Sequence, residues 1–120
     1  MHEYTIVASL IDLCEKEATK HRAKAIKAVD IDVGRLSGVE VHFLEQSFDV
    51  FKEGTICENA TLNVHLCEVT LFCEACGQTS TVEMNHFICP NCQSTDVQMK
   101  SGQELQVKSI EIIEDDHEML

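Results

Sequence analysis

Two short cysteine pairs constrain this chain more than anything else in it. They are Cys73-Glu74-Ala75-Cys76 and Cys89-Pro90-Asn91-Cys92, with twelve residues between them. Each pair puts two sulfurs on one tight turn. Two such turns, facing each other, can close a tetrahedron of thiolates around one zinc ion, the arrangement zinc takes when its role is structural. Gly77 follows the first pair, where a knuckle calls for a left-handed backbone, and Pro90 stiffens the second. Two disulfides or an iron centre of rubredoxin type would use the same spacing, but zinc is the preferred reading. A closed four-sulfur site leaves no open position on the metal, so chemistry is expected elsewhere in the chain.

At 120 residues the chain makes one domain, or one domain with a small inserted module. Its hydrophobic content of 44% supports one modest core. The metal therefore matters to stability, because binding in small zinc modules supplies folding free energy on the order of 10 kcal/mol. The formal charge is −12, from 21 acidic and 9 basic side chains. A nucleic-acid-binding module would show a basic face, and this balance would repel phosphate. It suits attraction of divalent cations or of a basic partner instead. Seven cysteines are an odd number. With no signal-like leader and no membrane-length apolar run, the expectation is a cytoplasmic protein with free thiols and no membrane partner. Cys14 falls on an apolar helical face and reads as a core residue; Cys57 and Cys67 read as structural.

The apolar spacing predicts a helix over 3–21, with Ile6, Val7, Leu10, Ile11, Cys14 and Ala18 on one face. Residues 26–33 alternate as a half-buried strand that Gly34 ends, and 35–38 read as a loop. A second helix over 40–52 carries Val41, Leu44, Phe48 and Phe51 inward, and Gly54 breaks it. Residues 60–66 alternate again, with Leu62, Val64 and Leu66 on one side. A last strand over 104–113 changes phase between Val107 and Ile110, which predicts a bulge near Lys108 and Ser109. That strand cannot complete a core alone, so it should pair back with the first two. The fold class is α+β: a small three-stranded sheet covered by two helices, with an inserted zinc-ribbon module. The division expected is 1–67 with 103–114, a ribbon over 68–102, and an acidic tail over 115–120.

The chain opens Met1-His2-Glu3. The large His2 side chain blocks methionine removal, so Met1 should stay. The Met1 amine and the His2 amide nitrogen would close a five-membered chelate ring on a metal. The same amide and the His2 Nδ1 would close a six-membered one. Planar nitrogen-rich donor sets favour Ni(II) or Cu(II). The first N–H groups of a helix have no intrahelical partner, and the positive helix end favours an ionised amide. Glu3, through its amide or carboxylate, Glu40 and His86 are candidates for the fourth donor.

Together these features resemble a known family. The opening Met-His-Glu, Val-Gly-Arg-Leu-Ser-Gly-Val-Glu at 33–40, the stretch from Phe48 to Gly54, the two cysteine pairs and Leu-Gln-Val-Lys-Ser-Ile-Glu-Ile at 105–112 are similar to the HypA/HybF nickel metallochaperones. The resemblance implies a nickel domain with a zinc domain inserted before the last strand, and delivery of Ni(II) to the large subunit of [NiFe]-hydrogenase. It implies the GTPase HypB as a partner, with urease accessory proteins a further expectation, and a monomer or homodimer. It carries over His2 as a nickel ligand with Met1 and Glu3 beside it, Glu40 as an acidic position near that site, and Cys73, Cys76, Cys89 and Cys92 as zinc ligands. Some members, notably those linked to urease, have a histidine shortly after each cysteine pair. Gln78 and Gln93 stand there in this chain, which favours hydrogenase.

No nucleophile with its base and no phosphate-binding loop of the Gly-x-x-x-x-Gly-Lys-Ser/Thr type is present, so the expectation is a carrier, not an enzyme. The alternatives are a zinc-ribbon module that binds protein or nucleic acid, which heparin retention would reveal, and a metal-dependent hydrolase with an open site, which would turn over esters or phosphates.

Overall fold

A computed structural model of the chain describes residues 2–83 and 86–114. The Met1 amine, the His2 side chain and the acidic tail invoked above lie outside the described residues. In chain order the elements are α1 (His2–Lys20), β1 (Ala23–Gly34), α2 (Val41–Phe51), β2 (Thr61–Cys67), β3 (Val69–Cys73), β4 (Thr79–Val82), β5 (Val97–Ser101) and β6 (Leu105–Glu114). The strands form two three-stranded sheets, ordered β2-β1-β6 and β4-β3-β5.

The helices form where the apolar residues recur at helical spacing. Val7, Leu10, Ile11, Cys14 and Ala18 of α1 are buried, and so are Leu44 and Phe48 of α2. Glu3, in the first turn of α1, is buried with them. Lys20 closes the last turn, and Arg22 then takes a left-handed φ of 55° that turns the chain into β1. Phe51, expected inward, is half-exposed and meets Tyr4 edge-on with ring centroids 4.4 Å apart. Lys52 caps α2 by donating its N–H to the Phe48 carbonyl. The loop beyond α2 is tied to α1 and to β1: the Ile56 N–H donates to Glu15 at 3.1 Å, and the Ile26 N–H donates to the Ile56 carbonyl. Next to that tie Cys57 is fully buried, and its thiol pushes the pKa of the equally buried Cys14 up. Both are therefore core residues.

β1 begins three residues earlier than its alternation suggests and is the middle strand. It buries Ile26 and Ala28, then changes face and buries Val29, Ile31 and Val33. The last strand pairs with β1 alone, not with both earlier strands, because β1 lies between β2 and β6. The Gly34 N–H donates to the Glu104 carbonyl, Gln106 bonds Asp32, Ser109 bonds Asp30, and Lys27 pairs with Glu111. Numbers fall along β1 as they rise along β6, so the pair is antiparallel. The half-buried positions of β6 change phase from Val107 to Ile110 and Ile112. In β2 the alternation holds through Val64, but Leu66 is exposed.

The chain groups into two compact units. One is built from Met1–Ile31, Val39–Val64 and Val107–Leu120, the other from Asp32–Gly38 and His65–Gln106. The first holds both helices and their core. The second holds β3, β4 and β5 with a small core of Val69, Leu71, Cys73 and Cys89. The strip after β1 groups with the second unit for a backbone reason. The N–H groups of Arg35 and Leu36 donate to the carbonyls of Cys67 and Gly102, and Arg35 pairs with Glu68 at 2.7 Å.

Gly34 is more than a strand terminator. A Cβ built there would lie 2.2 Å from the carbonyl carbon and oxygen of Gly102, where only backbone could yield. Gly34→Ala is expected to lower stability by about 3 kcal/mol through overpacking. Thermal unfolding of the zinc-loaded protein checks this, with Gly38→Ala as the comparison: a Cβ at Gly38 meets open space, so that variant should lose only the backbone cost of its φ of 81°, about 1 kcal/mol. Equal melting temperatures for the two variants would refute the close approach.

Candidate metal centres

The second unit brings all four paired cysteines together. Their sulfurs all lie within 4.8 Å of one another, with Cys73 and Cys92 3.5 Å apart and Cys76 and Cys89 3.7 Å apart. Sulfurs at the corners of a zinc tetrahedron, with Zn–S of about 2.3 Å, stand about 3.8 Å apart. The cluster therefore fits a structural zinc ion, and the donor set has no place for a substrate. No disulfide links these sulfurs, and none of the seven cysteines is in one.

The two knuckles are built alike. In the first, the Cys73 N–H donates to the Gln78 carbonyl and the Gly77 N–H to the Cys73 carbonyl. In the second, the Cys89 N–H donates to the Ser94 carbonyl and the Gln93 N–H to the Cys89 carbonyl. Each turn needs a left-handed residue just after its second cysteine. Gly77 supplies it at φ 75°, and Gln93 supplies it at φ 60° without the freedom of glycine. Cys73 and Cys89 are buried while Cys76 and Cys92 are exposed.

The electrostatics follow from crowding four thiols. The Asn91 side-chain amide donates to the Cys76 sulfur at 3.6 Å, and this contact, with the Gln78 backbone N–H, brings the Cys76 thiol down to about 6. The Ser94 N–H favours a Cys92 thiolate, but the Cys73 sulfur and partial burial outweigh it and push Cys92 up to about 12. One sulfur thus ionises readily and its neighbour resists, since like charges so close repel. A divalent ion among them reverses that balance and takes all four as thiolates. Asn91 was not among the residues singled out from sequence. Its signal was a polar amide inside the second knuckle, next to a ligand cysteine.

The proposed nickel residues are brought together in part. The Glu40 backbone N–H donates to Glu3 Oε2 at 2.8 Å. With the Glu3 backbone N–H this holds the Glu3 carboxyl down at about 2. Glu40 is the N-cap of α2, and its Oε1 accepts the His42 N–H at 2.9 Å. The start of α1 is thereby fastened to the start of α2 through a carboxylate. His86 belongs to the second unit. Its N–H donates to the Glu83 carbonyl and its Nδ1 stands 4.0 Å from Glu83 Oε2.

A family model described as "Hydrogenase/urease nickel incorporation, metallochaperone, hypA" matches residues 1–112. The chain belongs to the HypA family. It is 42% identical over 112 residues to the hydrogenase maturation factor HypA of Aquifex aeolicus, covering 93% of this chain and 97% of that one. It is 42% identical over 106 residues to the Campylobacter jejuni factor of the same name, covering 88% and 93%. Among solved structures it resembles the solution structure of the nickel metallochaperone HypA from Helicobacter pylori. That match has a TM-score of 0.65 and 30% identity, and it covers 94% of this chain and 98% of that one. A second HypA solution structure matches with a TM-score of 0.72 and 31% identity, covering 96% and 98%. This member of the HypA family is thus a nickel metallochaperone that works with the hydrogenase maturation machinery. Among the described residues, no helix is long and apolar enough to cross a membrane.

The paired knuckles generate a test. Gly77→Ala puts a Cβ on a left-handed residue and should lower the stability of the zinc-loaded second unit by about 1 kcal/mol. Gln93→Gly removes a Cβ from the equivalent position and should leave that stability unchanged or raise it. Chelator challenge with a zinc-sensitive dye reads both: faster zinc release is expected from the first variant and no acceleration from the second. Accelerated release from Gln93→Gly would contradict the assignment.

Proposed function

We propose that the chain carries Ni(II) at its N-terminus and delivers it to the large subunit of [NiFe]-hydrogenase. Three nitrogens hold the cargo: the Met1 amine, the His2 amide and the His2 Nδ1. The Glu3 amide and Glu40 are the candidates for the fourth position. Zinc is held by Cys73, Cys76, Cys89 and Cys92 and supplies folding free energy only. The GTPase HypB supplies any nucleotide hydrolysis, the chain itself is not catalytic, and the work takes place in the cytoplasm. Gln78 and Gln93 favour hydrogenase over urease as the destination.

One observation carries this reading beyond the family resemblance. Glu3 spends its buried carboxylate on the N-cap residue of α2, in a 2.8 Å bond that fastens the first turn of α1. A chelate built from the two residues before Glu3 needs such an anchor, because an unanchored terminus would lose more conformational entropy on binding. In this reading the Glu3 carboxylate positions the chelate and does not ligate. Its carboxyl is held low, so the anchor is present above about pH 4.5 and is lost only as pH falls towards 2.

The nickel site should therefore weaken with acid for reasons of its own. The ligands compete with protons at an amine near ~8 and an imidazole near ~6.5, and the amide must ionise. Affinity measured by calorimetry should fall steeply from pH 7 to 5.5 while the Glu3 anchor stays intact. A flat profile would favour carboxylate ligands.

A residue added before Met1 converts its amine to an amide and leaves His2, Glu3 and the zinc cluster in place. Nickel affinity should fall at least tenfold, about 1.4 kcal/mol, with zinc content unchanged. His2→Ala should abolish tight nickel binding with little effect on unfolding. Wild-type affinity and spectrum in the extended protein would overturn the amine ligand.

A further inference from the structure

The edge of the second unit's sheet opens onto a cavity. The sheet is ordered β4-β3-β5, so β4 is paired with β3 on one side only. Val82 of β4 stands opposite Val69, and Thr81 opposite Thr70. Val69 is buried, so Val82 lies on the face that carries the small core and Thr81 on the other. Both residues nevertheless line one cavity of about 500 Å³, with Glu83, Ile88, Cys89 and Pro90 among its other walls. Successive strand residues point to opposite faces, so a cavity that touches both meets the strand at its edge. Val82, Ile88 and Pro90 give it apolar walls, and Ile88 is 46% exposed. Because they share one cavity, they form a single surface and not scattered side chains.

We propose that this groove takes an extended segment of a partner protein, which adds to β4 as a further strand and alternates apolar with basic side chains. None of the residues proposed to hold nickel takes part. An edge strand offers backbone N–H and C=O groups that a neighbouring strand can pair, and strand addition draws affinity from those bonds and specificity from pockets beside them. Alternate side chains of an added strand fall on the two faces of the sheet. One set then lies on the Val82 face, where apolar groups suit Ile88 and Pro90. The other set lies on the Thr81 face, which is polar.

Charge decides among the occupants. Among the described residues that line the groove, Glu83 is the one carboxylate, and there is no lysine or arginine. Cys89 forms part of the wall, and four thiolates around a divalent ion keep a net negative charge behind it. Across the second unit Asp32, Glu68, Glu74, Glu83, Asp96 and Glu104 stand against Arg35 and Lys100, and Arg35 is already paired with Glu68. Lysine or arginine in the partner is therefore steered in and held. Nucleic acid is repelled, and so is a second copy of a chain whose net charge is −12.

The test uses the full, zinc-loaded, nickel-free protein and three capped hexapeptides. One alternates valine with lysine, one valine with glutamate, and one serine with lysine. Fluorescence anisotropy reads affinity, and amide chemical shifts of the isotope-labelled protein read the site. The valine–lysine peptide should bind about tenfold tighter than either of the others, weaken as salt rises, and shift the amides of Thr81, Val82 and Ile88. Ile88→Ser and Glu83→Lys should each weaken it about tenfold, with zinc content at the wild-type level. Phe87→Ser removes an apolar side chain that is 42% exposed but does not line the groove, and should leave affinity unchanged. Glu83→Lys keeps the test valid if Ile88→Ser misfolds, because the Glu83 side chain is 87% exposed. Equal binding of the serine–lysine peptide would mean charge alone, and equal binding of the valine–glutamate peptide apolar contact alone; either overturns the proposal. So would no binding at all, shifts confined to the first unit, wild-type affinity in Glu83→Lys, or an equal loss in Phe87→Ser. Self-association of the protein that Ile88→Ser abolishes would overturn it too, by making a second copy the occupant.

Discussion

Four thiolate sulfurs cannot share one small volume unless a cation stands among them. That constraint organises the second unit. Among its described residues the buried apolar side chains are Val33, Val69, Leu71 and two of the cysteines themselves, and three short strands offer little else to bury. Both knuckles are hydrogen-bonded in the same way, and the sulfurs stand at the spacing of a zinc tetrahedron. Folding and zinc binding are thus one process in this part of the molecule. In the proposed reading, a site so fully committed to structure leaves the cargo to the other end of the chain.

The proposed cargo end obeys a different physics. A chain terminus is the least constrained place in a protein, and a planar chelate needs the opposite. The buried carboxylate of Glu3 resolves the conflict by spending one charge-assisted hydrogen bond on the N-cap of α2. In the proposed reading, the side chain that looks most like a hard metal ligand thereby becomes the anchor of a softer, nitrogen-based one. Glu40 serves twice in this arrangement, giving its N–H to Glu3 and its Oε1 to His42.

The cysteine spacing made the zinc centre legible from sequence because each pair is local: two ligands on one turn need only the turn to form. The helices were legible for the same reason, since apolar period and core face coincide in Val7, Leu10, Cys14, Leu44 and Phe48. The phase change in β6 was legible because alternation records which face is covered. What escaped was non-local. Nothing in the sequence says that Gly34 lies against the Gly102 backbone, that Asn91 reaches the Cys76 sulfur, or that Glu3 finds the Glu40 N–H. Phe51 and Leu66 fit their apolar stripes yet remain partly exposed, because a stripe continues past the edge of the element that covers it. Strand order escaped too, since β6 reaches β1 only after the whole second unit has intervened.

The central claim is a division of labour between a sulfur site that keeps its metal and a nitrogen site that gives its metal away. X-ray absorption at the zinc and nickel edges, on untagged protein loaded with one equivalent of each ion, tests it most directly. The account predicts zinc surrounded by four sulfurs at about 2.3 Å, and nickel surrounded by nitrogen and oxygen only, with a square-planar pre-edge feature. Sulfur in the nickel shell, or zinc lost in step with nickel bound, would contradict it.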